Sequence, residues 1–233
     1  MGLVAPAVLP SSREDFEKNV ALLARIPHVS RIQIDVVDGR FASPASWPYN
    51  ALEENLHTLV EKNYMLPALD HIAYEIDLMC FDAEQAADAW LKLGATRLTF
   101  HVESSIDLPR LVRDSRSRYG DVISFGLAVN IASDLSLLEP CLGEVQYVQF
   151  MGIASIGKQG QSFDRRVLEK IRAFHTQHSE VPIQVDGGVS VESAEQLLAL
   201  GVSSLVVGSG ILRARDAAAA FAEFEALQSS FGV

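Results

Sequence analysis

The sequence predicts an α/β fold, a (β/α)8 (TIM) barrel that forms a single domain over residues 1–233. Eight short apolar segments alternate with helical segments, and successive strands start about 25 to 40 residues apart, which is the size of a βα unit. No break in composition marks a second domain. The alternative, a doubly wound open sheet, would carry a glycine fingerprint after its first strand. The sequence has no such fingerprint, which favours the closed barrel.

The N-terminal half begins with LVAPAVL, an apolar run whose two prolines disfavour a helix. Ser11 and Ser12 can cap the helix that follows, and Pro27 ends it. Gly94 provides the C-cap of a later helix. The elements predicted for this half are strands at 3–9, 32–41, 73–79 and 97–102 and helices at 13–25, 51–62 and 83–93.

The C-terminal half repeats this alternation, with one long loop, GIASIGKQGQSF, after its second strand. Gly201 provides a C-cap for the helix before the last strand. The elements predicted for this half are strands at 122–129, 145–151, 181–185 and 205–207, helices at 108–118, 165–177, 191–200 and 216–227, and a short helix at most at 135–142.

Composition limits the class of partner. The net charge of −11 argues against a nucleic-acid partner, because phosphate-backbone binding needs clustered Lys and Arg. No secretory signal and no apolar run of transmembrane length is found, so we expect a cytoplasmic chain without a membrane partner. Cys80 and Cys141 are isolated in the sequence and are expected to be buried thiols.

The stretch IQIDVVDGRF at 32–41 is the centre of the chain's chemistry. Read as a strand, its period of two places Gln33, Asp35 and Val37 on one face and Ile, Ile and Val on the other. Asp35 then lies near the strand's C-terminal end, where α/β folds keep their active sites, unless it only starts a turn early. A second stretch, IQVDGGV at 183–189, repeats the acid before a glycine and favours the functional interpretation.

Glycines follow three late strands and predict a phosphate pocket. Glycine lets backbone N–H groups approach an anion, and barrels commonly bind phosphate with the loops after strands seven and eight. A lysine in the first of these loops could add positive charge. The residues predicted to bind the phosphate are Gly157, Lys158, Gln159, Gly160, Gly187, Gly188, Gly208 and Ser209.

Three aspartates lie at or near the C-terminal ends of predicted strands, namely Asp35, Asp77 and Asp186. Their side chains should converge at the barrel mouth, where one must be protonated or a cation must be bound. Two carboxylates on opposite sides of a substrate carbon could remove a proton from one face and return it to the other. For Asp77, a role as a strand-end hydrogen-bond acceptor is an equal alternative. His101, on the fourth strand, is expected to be a satisfied core residue.

At this point the chain resembles the ribulose-phosphate 3-epimerase family along nearly its whole length. The matching pieces, in the family's order, are PAVL, IDVVDGRF, IDLM, TFHVES, GLAVN, GKQGQSF, VLEKIR, IQVDGGV and VVGSGI. The resemblance implies a (β/α)8 barrel that epimerises pentulose 5-phosphates at C3 through an enediolate. It also implies a phosphorylated sugar as partner, a divalent metal, and Asp35 and Asp186 as the acid/base pair. The phosphate would lie on the glycine loops named above.

The chain departs from the family's pattern at several site positions. Ala7 stands where the family normally has a serine, Gln33 and Asp77 where it has metal-binding histidines, and Arg40 where it usually has a histidine. The loop after strand six is one residue longer and lacks the family's Pro-Gly. The resemblance thus implies an all-oxygen ligand set of Gln33, Asp35, Asp77 and Asp186. Such a set suits Mg²⁺ or Mn²⁺ better than Zn²⁺, unless the metal has been lost.

Three functions follow from these observations. The first is an epimerase or isomerase of a ketose phosphate, and the second is a non-catalytic barrel that binds a sugar phosphate. The third, ranked lowest, is a lyase of the related decarboxylase and hexulose-phosphate synthase barrels, whose Asp-x-Lys-x-x-Asp strand has no lysine counterpart in DVVD. Barrels of this type often associate, so a homo-oligomer is a further expectation.

Overall fold

A computed structural model describes residues 2–105 and 107–231 of the chain. Eight parallel strands form a closed barrel in chain order, each strand hydrogen-bonded to the next and the eighth to the first. The predicted (β/α)8 fold is therefore confirmed. Among the helices of these residues, none has both the length and the apolar character needed to cross a membrane.

The secondary structure alternates as expected. The strands are β1 Val4–Val8, β2 Arg31–Val37, β3 Ala73–Met79, β4 Arg97–His101, β5 Ser124–Val129, β6 Tyr147–Met151, β7 Ile183–Asp186 and β8 Ser204–Val207. The helices are α1 Arg13–Leu23, α2 Leu56–Glu61, α3 Ala83–Lys92, α4 Leu108–Tyr119, α5 Arg166–Gln177, α6 Val191–Leu198, α7 Ser209–Leu212 and α8 Ala217–Phe231. Short 3₁₀ turns cover Gly120–Val122, Leu135–Leu137 and Glu139–Glu144.

The structure corrects the predictions for several elements. The helix expected at 51–62 begins only at Leu56, because the side chain of Asn55 accepts a hydrogen bond from Thr58 N and caps it there. The strand expected from 122 begins at Ser124, and the helix expected at 135–142 is two 3₁₀ turns instead. The short helix α7 was not expected at all.

Apolar side chains on the outer face of the barrel form the main core. On β2, Ile32, Ile34 and Val36 are fully buried and belong to one hydrophobic cluster that includes residues of the surrounding helices, such as Phe16 and Trp90. This is the face that the alternation in IQIDVV predicted. The layer between strands and helices therefore holds most of the hydrophobic stabilisation. Cys80 and Cys141 are buried as expected.

The inside of the barrel is polar near its N-terminal end. The buried carboxylate of Glu75 lies 2.9 Å from Nε of Arg97 and 3.4 Å from Nη1 of Arg31. The guanidinium of Arg97 lies 3.4 Å from the centre of the Tyr147 ring, and the Gln184 amide donates to Glu75. Each buried charge is thus compensated by opposite charge and by hydrogen bonds, as burial in a low dielectric requires.

Glutamine side chains extend this polar interior to the barrel mouth. Gln184 Nε2 donates to Gln149 Oε1 at 2.8 Å, and Gln149 Nε2 donates to Asp77 Oδ2 at 3.1 Å. The carboxylate at the C-terminal end of β3 is therefore connected to the ion pairs at the opposite end of the barrel. The barrel interior is a hydrogen-bonded column that fixes the side chains above it.

We expect Glu75→Gln to lower the free energy of unfolding by about 3–5 kcal/mol, because it leaves two buried guanidinium groups without a counter-charge. Urea denaturation followed by circular dichroism measures the change. The exposed Glu53→Gln is the matched control and should change stability by less than about 0.5 kcal/mol. A loss below about 1 kcal/mol for Glu75→Gln would show that the column does not depend on this charge.

Candidate active site

One cavity of about 260 Å³ opens at the C-terminal ends of the strands. It brings together the two predicted catalytic acids and every residue predicted to bind phosphate, namely Asp35, Asp186, Gly157, Lys158, Gln159, Gly160, Gly187, Gly188, Gly208 and Ser209. Ala7, Met79, Met151 and Val206 add apolar surface to it. The predicted ligands Gln33 and Asp77 lie outside the cavity lining, deeper in the barrel.

Gln33 joins the two candidate catalytic acids. Its amide Nε2 lies 2.9 Å from Asp35 Oδ1 and 3.1 Å from Asp186 Oδ2, and so donates one hydrogen to each carboxylate. Its Oε1 accepts from Gln184 Nε2 at 3.4 Å. Both carboxylates are therefore held at a fixed separation by one neutral group. To ligate a metal through its oxygen, Gln33 would have to turn its carboxamide over.

Asp77 accepts hydrogen bonds on both of its oxygens. His101 Nε2 lies 3.0 Å from Oδ1, and Gln149 Nε2 donates to Oδ2. His101 is fully buried, as expected, but the sequence did not predict its contact with a site carboxylate. Its Nδ1 lies 3.8 Å from Oε2 of Glu103, so two acids flank the imidazole.

Burial and mutual repulsion perturb the acid pair. Loss of solvent, together with the nearby charge of Asp77, raises the pKa of Asp35 to about 7, although the hydrogen bond from Gln33 and the nearby amide of Gln159 oppose the rise. Burial, followed by the charges of Asp35 and Asp77, raises the pKa of Asp186 well above its ordinary value. Two buried carboxyl groups so close together disfavour the state in which both are ionised, which favours a proton held by the pair.

His101 supplies positive charge to this acidic cluster. Burial alone would lower its pKa, but the carboxylates of Asp77 and Glu103 outweigh that effect and raise the pKa to about 9. The imidazole is therefore protonated near neutral pH, and a cation lies between two acids. The negative charge of Asp77 is therefore offset by the imidazolium of His101, whereas Asp35 and Asp186 have no such positively charged partner among their hydrogen bonds in the described residues.

The glycines after β7 line the same cavity as Gly208. Gly187 and Gly188 have φ of +101° and +68°, and a Cβ on Gly188 would lie 2.7 Å from backbone atoms of Phe163. Side chains are excluded at both positions, because the conformation is left-handed and the loop after β6 packs directly against them. The backbone N–H groups can thus come close to a bound anion.

The long loop after β6 covers one side of the cavity. Its Gln161 side chain donates to the carbonyls of Ser155 and Lys158, which ties the loop to itself. Lys158 is exposed at the rim. Gln159 crosses the mouth, and its Nε2 donates to the carbonyl of Ala7 on β1 at 3.2 Å.

The carboxylates can hold a hard divalent cation. One oxygen each from Asp35, Asp77 and Asp186 lies within 4.8 Å of the others, a spacing that a single ion can bridge. Burial and the charge of Asp77 raise the pKa of Asp35, and the positive charge of a bound cation would offset both effects. All three donors are carboxylates, which suits Mg²⁺ or Mn²⁺.

The sequence missed residues that act across the barrel. His101 and Gln149 contact Asp77, yet each lies on a different strand and has no motif around it. The signal that could have identified them is the period-two placement of polar residues in otherwise apolar strands, as in TFH and YVQFM. The sequence indicated that these side chains face inward, but the partner of each depends on strand register.

Comparisons with a family model and with known proteins agree on one family. The family described as "Ribulose-phosphate 3 epimerase family" matches residues 3–212. Ribulose-phosphate 3-epimerase of Mycobacterium tuberculosis is 26% identical over 226 residues, covering 94% of this chain and 90% of that protein. The Escherichia coli protein of that name is 26% identical over 225 residues, covering 92% and 90%. The chloroplastic ribulose-5-phosphate-3-epimerase of Arabidopsis thaliana is 28% identical over 224 residues, covering 94% and 74%.

Solved structures share the fold at lower identity. KGPDC from Streptococcus mutans superposes with a TM-score of 0.69 at 14% identity, covering 99% of this chain and 99% of that chain. A 3-hexulose-6-phosphate synthase gives a TM-score of 0.65 at 20% identity, covering 97% and 99%. At such identities the likeness concerns the fold alone.

We expect Asp35→Asn to gain stability relative to the parent protein as pH rises. The pKa of Asp35 is about 7 in the folded chain and about 4 when unfolded, so the folded state alone keeps this proton between those values. The carboxyl therefore destabilises the fold progressively as pH rises from about 4 to about 7, and the asparagine does not.

Urea denaturation at pH 5 and pH 8, in the presence of a chelator, measures this difference. The gain of Asp35→Asn over the parent should grow by on the order of 1–3 kcal/mol between the two conditions. The exposed Asp114→Asn on α4 is the control and should show no such pH dependence. An equal gain at both pH values would mean that Asp35 titrates normally.

Proposed function

Since the chain belongs to the ribulose-phosphate 3-epimerase family, we propose that it epimerises a phosphorylated ketose by proton transfer to and from Asp35 and Asp186. The observation that carries the proposal is the pair itself. The two carboxyl groups come from β2 and β7, face one cavity and are bridged by the amide of Gln33. Both have a raised pKa, which is what carboxyl groups need to exchange protons near neutral pH.

In the proposed reaction the two acids act on opposite faces of one carbon. The ionised carboxylate removes the proton next to the carbonyl, and the protonated partner returns a proton to the other face of the planar enediolate. The configuration inverts, and the pair ends with its proton on the other residue. Because the pair holds a single proton in either direction, the forward and reverse reactions use the same residues in exchanged roles.

The enediolate is an anion and needs stabilisation within the site. A Mg²⁺ or Mn²⁺ ion held by Asp35, Asp77 and Asp186 would supply Lewis-acid stabilisation of the enediolate oxygens. Asp77 would serve only as an anchor, since His101 and Gln149 fix both of its oxygens. Gln33 keeps the two reactive carboxyl groups apart and oriented.

The phosphate of the substrate would lie against the glycines that follow β7 and β8. Gly187, Gly188, Gly208 and Ser209 line the same cavity as Asp186, and their backbone N–H groups would bind the phosphate. The exposed ammonium of Lys158 lies in the same cavity lining and would add positive charge at the rim. A phosphate held there would place the sugar carbons toward the two aspartates. The cytoplasmic location and a homo-oligomer stay expectations.

A non-catalytic sugar-phosphate-binding barrel is the second candidate. It is favoured by the position of the Gln33 amide, which donates to the two acids on which the chemistry depends. This candidate needs phosphate binding without proton exchange. It therefore differs from the first candidate in one measurable property.

We expect the protein to exchange a carbon-bound hydrogen of a ketose phosphate with solvent in D2O. A panel of pentulose and hexulose 5- and 6-phosphates, with the metal-stripped protein and with added Mg²⁺ or Mn²⁺, is followed by NMR. Asp35→Asn and Asp186→Asn should each lower the exchange rate by about 10³-fold, because each removes a proton carrier.

Asp114→Asn is the matched control and should retain the parental exchange rate. Exchange on no sugar, together with clear binding of a sugar phosphate, would refute the epimerase and leave the second candidate. Exchange that persists in both active-site variants would refute the assignment of the two aspartates.

We also expect Mn²⁺ to bind at the three carboxylates, and this can be measured by the loss of free Mn²⁺ signal in electron paramagnetic resonance. Asp77→Asn and Asp186→Asn should each weaken binding at least about tenfold, because one charged ligand is removed. Asp114→Asn should bind as the parent does. Equal binding by all variants would place any bound Mn²⁺ elsewhere.

A further inference from the structure

A glutamine precedes each of the two candidate catalytic acids by two residues. Gln33 stands before Asp35 in IQID on β2, and Gln184 stands before Asp186 in IQVD on β7. Because strand side chains alternate between the two faces, each glutamine shares the inner face of the barrel with its aspartate and lies one layer deeper. Both glutamines are fully buried. Gln33 bridges the acids, whereas Gln184 has no part in the reaction as proposed above.

Two charged groups fix the orientation of the Gln184 carboxamide. Arg97 Nη2 donates to Gln184 Oε1 at 3.4 Å, and Gln184 Nε2 donates to the buried carboxylate of Glu75. An arginine can only donate hydrogen bonds, and an ionised carboxylate can only accept them. A turned amide would place its nitrogen against the guanidinium and its oxygen against the carboxylate. The surroundings of Gln184 therefore allow one orientation of its amide.

Gln184 in turn fixes the orientation of Gln33. Its Nε2 lies 3.4 Å from Gln33 Oε1 and 2.8 Å from Gln149 Oε1, and both of these oxygens are acceptors. The oxygen of Gln33 is thus directed at Gln184, and its nitrogen is directed at Asp35 and Asp186. If Gln33 turned over, two NH₂ groups would face each other within the buried interior, each without an acceptor there.

The acids alone would leave the orientation of Gln33 open. A carboxyl group that carries a proton can donate it to an amide oxygen, whereas an ionised carboxylate accepts from the amide nitrogen. A pair that holds one proton could thus bond to either end of the Gln33 carboxamide. The contact with Gln184 removes the arrangement in which the oxygen of Gln33 takes up that proton in a hydrogen bond.

We propose that Gln184 is a positioning residue of the acid pair and that it acts through Gln33. It holds the Gln33 nitrogen toward Asp35 and Asp186, so that the carboxyl proton remains available to the substrate carbon. This inference rests on the proposed function and extends the site to a residue that does not line the cavity. It also makes Gln33 a hydrogen-bond donor to the pair and not an oxygen ligand of a cation.

The first experiment is neutron diffraction from crystals of the parent protein in D2O, which needs no turnover. Neutrons locate deuterium and distinguish nitrogen from oxygen, so they show directly which way a carboxamide faces. We expect both deuterium atoms on the Gln33 nitrogen to be directed at Asp35 and Asp186, and the Gln33 oxygen to face Gln184. A Gln33 oxygen that faces the two acids would overturn the proposal.

The second experiment is a double-mutant cycle on hydrogen exchange of a ketose phosphate in D2O, with Gln33→Met, Gln184→Met and the double variant. Gln184→Met should lower kcat about tenfold and leave KM within about twofold, because Gln184 orients the acids and lies outside the cavity lining. The double variant should be no slower than Gln33→Met, since Gln184 acts through Gln33. Gln177→Met, at an exposed position on α5, is the matched control and should keep the parental kcat and KM.

Losses of rate that add up in the double variant would overturn the role of Gln184, and so would a higher KM with an unchanged kcat. A parent protein that exchanges no sugar phosphate would refute the proposed function and the effect of Gln184 on its rate, whereas the diffraction experiment tests the orientation of Gln33 independently. Circular dichroism shows whether a loss comes from unfolding. If Gln184→Met does not fold, Gln184→Leu, which also lacks a donor, replaces it in the cycle.

Discussion

The structure depends on the compensation of negative charge that is buried at the mouth of the barrel. Asp35, Asp77 and Asp186 are all nearly excluded from solvent, and ionised carboxylates in such surroundings are costly unless donors or cations offset them. The three carboxylates are compensated in two different ways. Asp77 receives the protonated His101 and an amide, while Asp35 and Asp186 receive one amide between them and keep a raised pKa. The uncompensated part of the cluster is also the part that faces the cavity.

The polar interior of the barrel follows from the same requirement. A barrel interior filled by branched apolar side chains would leave the mouth acids without donors from below. Here Gln184 donates to Glu75 and to Gln149, and Gln149 in turn donates to Asp77, so a chain of hydrogen bonds connects the two carboxylates. Glu75 itself forms ion pairs with buried arginines. The hydrophobic stabilisation is placed outside the strands, between sheet and helices. Apolar packing therefore lies outside the ring of strands, and hydrogen-bonded polar side chains lie inside it.

The sequence predicted those features that depend on local pattern. The alternation in β2 correctly placed Asp35 on the inner face, and the glycine-bearing strand ends line one cavity. Phosphate binding in that cavity stays a prediction. It could not predict the true start of α2, because the cap of Asn55 overrides the helical pattern before it. It also could not predict that His101 contacts Asp77, since such contacts depend on register between strands distant in sequence.

A carboxamide at Gln33, where the resemblance to the family implies an imidazole, has a consequence for the chemistry of the pair. An imidazole can ligate a metal or take up a proton, whereas a carboxamide does neither when its N–H₂ faces two acids. Gln33 therefore adds no charge, and a proton held by the pair or an oxygen-loving cation bound beside it would balance Asp35 and Asp186. Proton and cation compete for the same carboxylates. In the proposed reaction, cation affinity and the proton held by the pair would consequently be linked, and Asp35 and Asp186 would hold an ion most tightly when both are ionised.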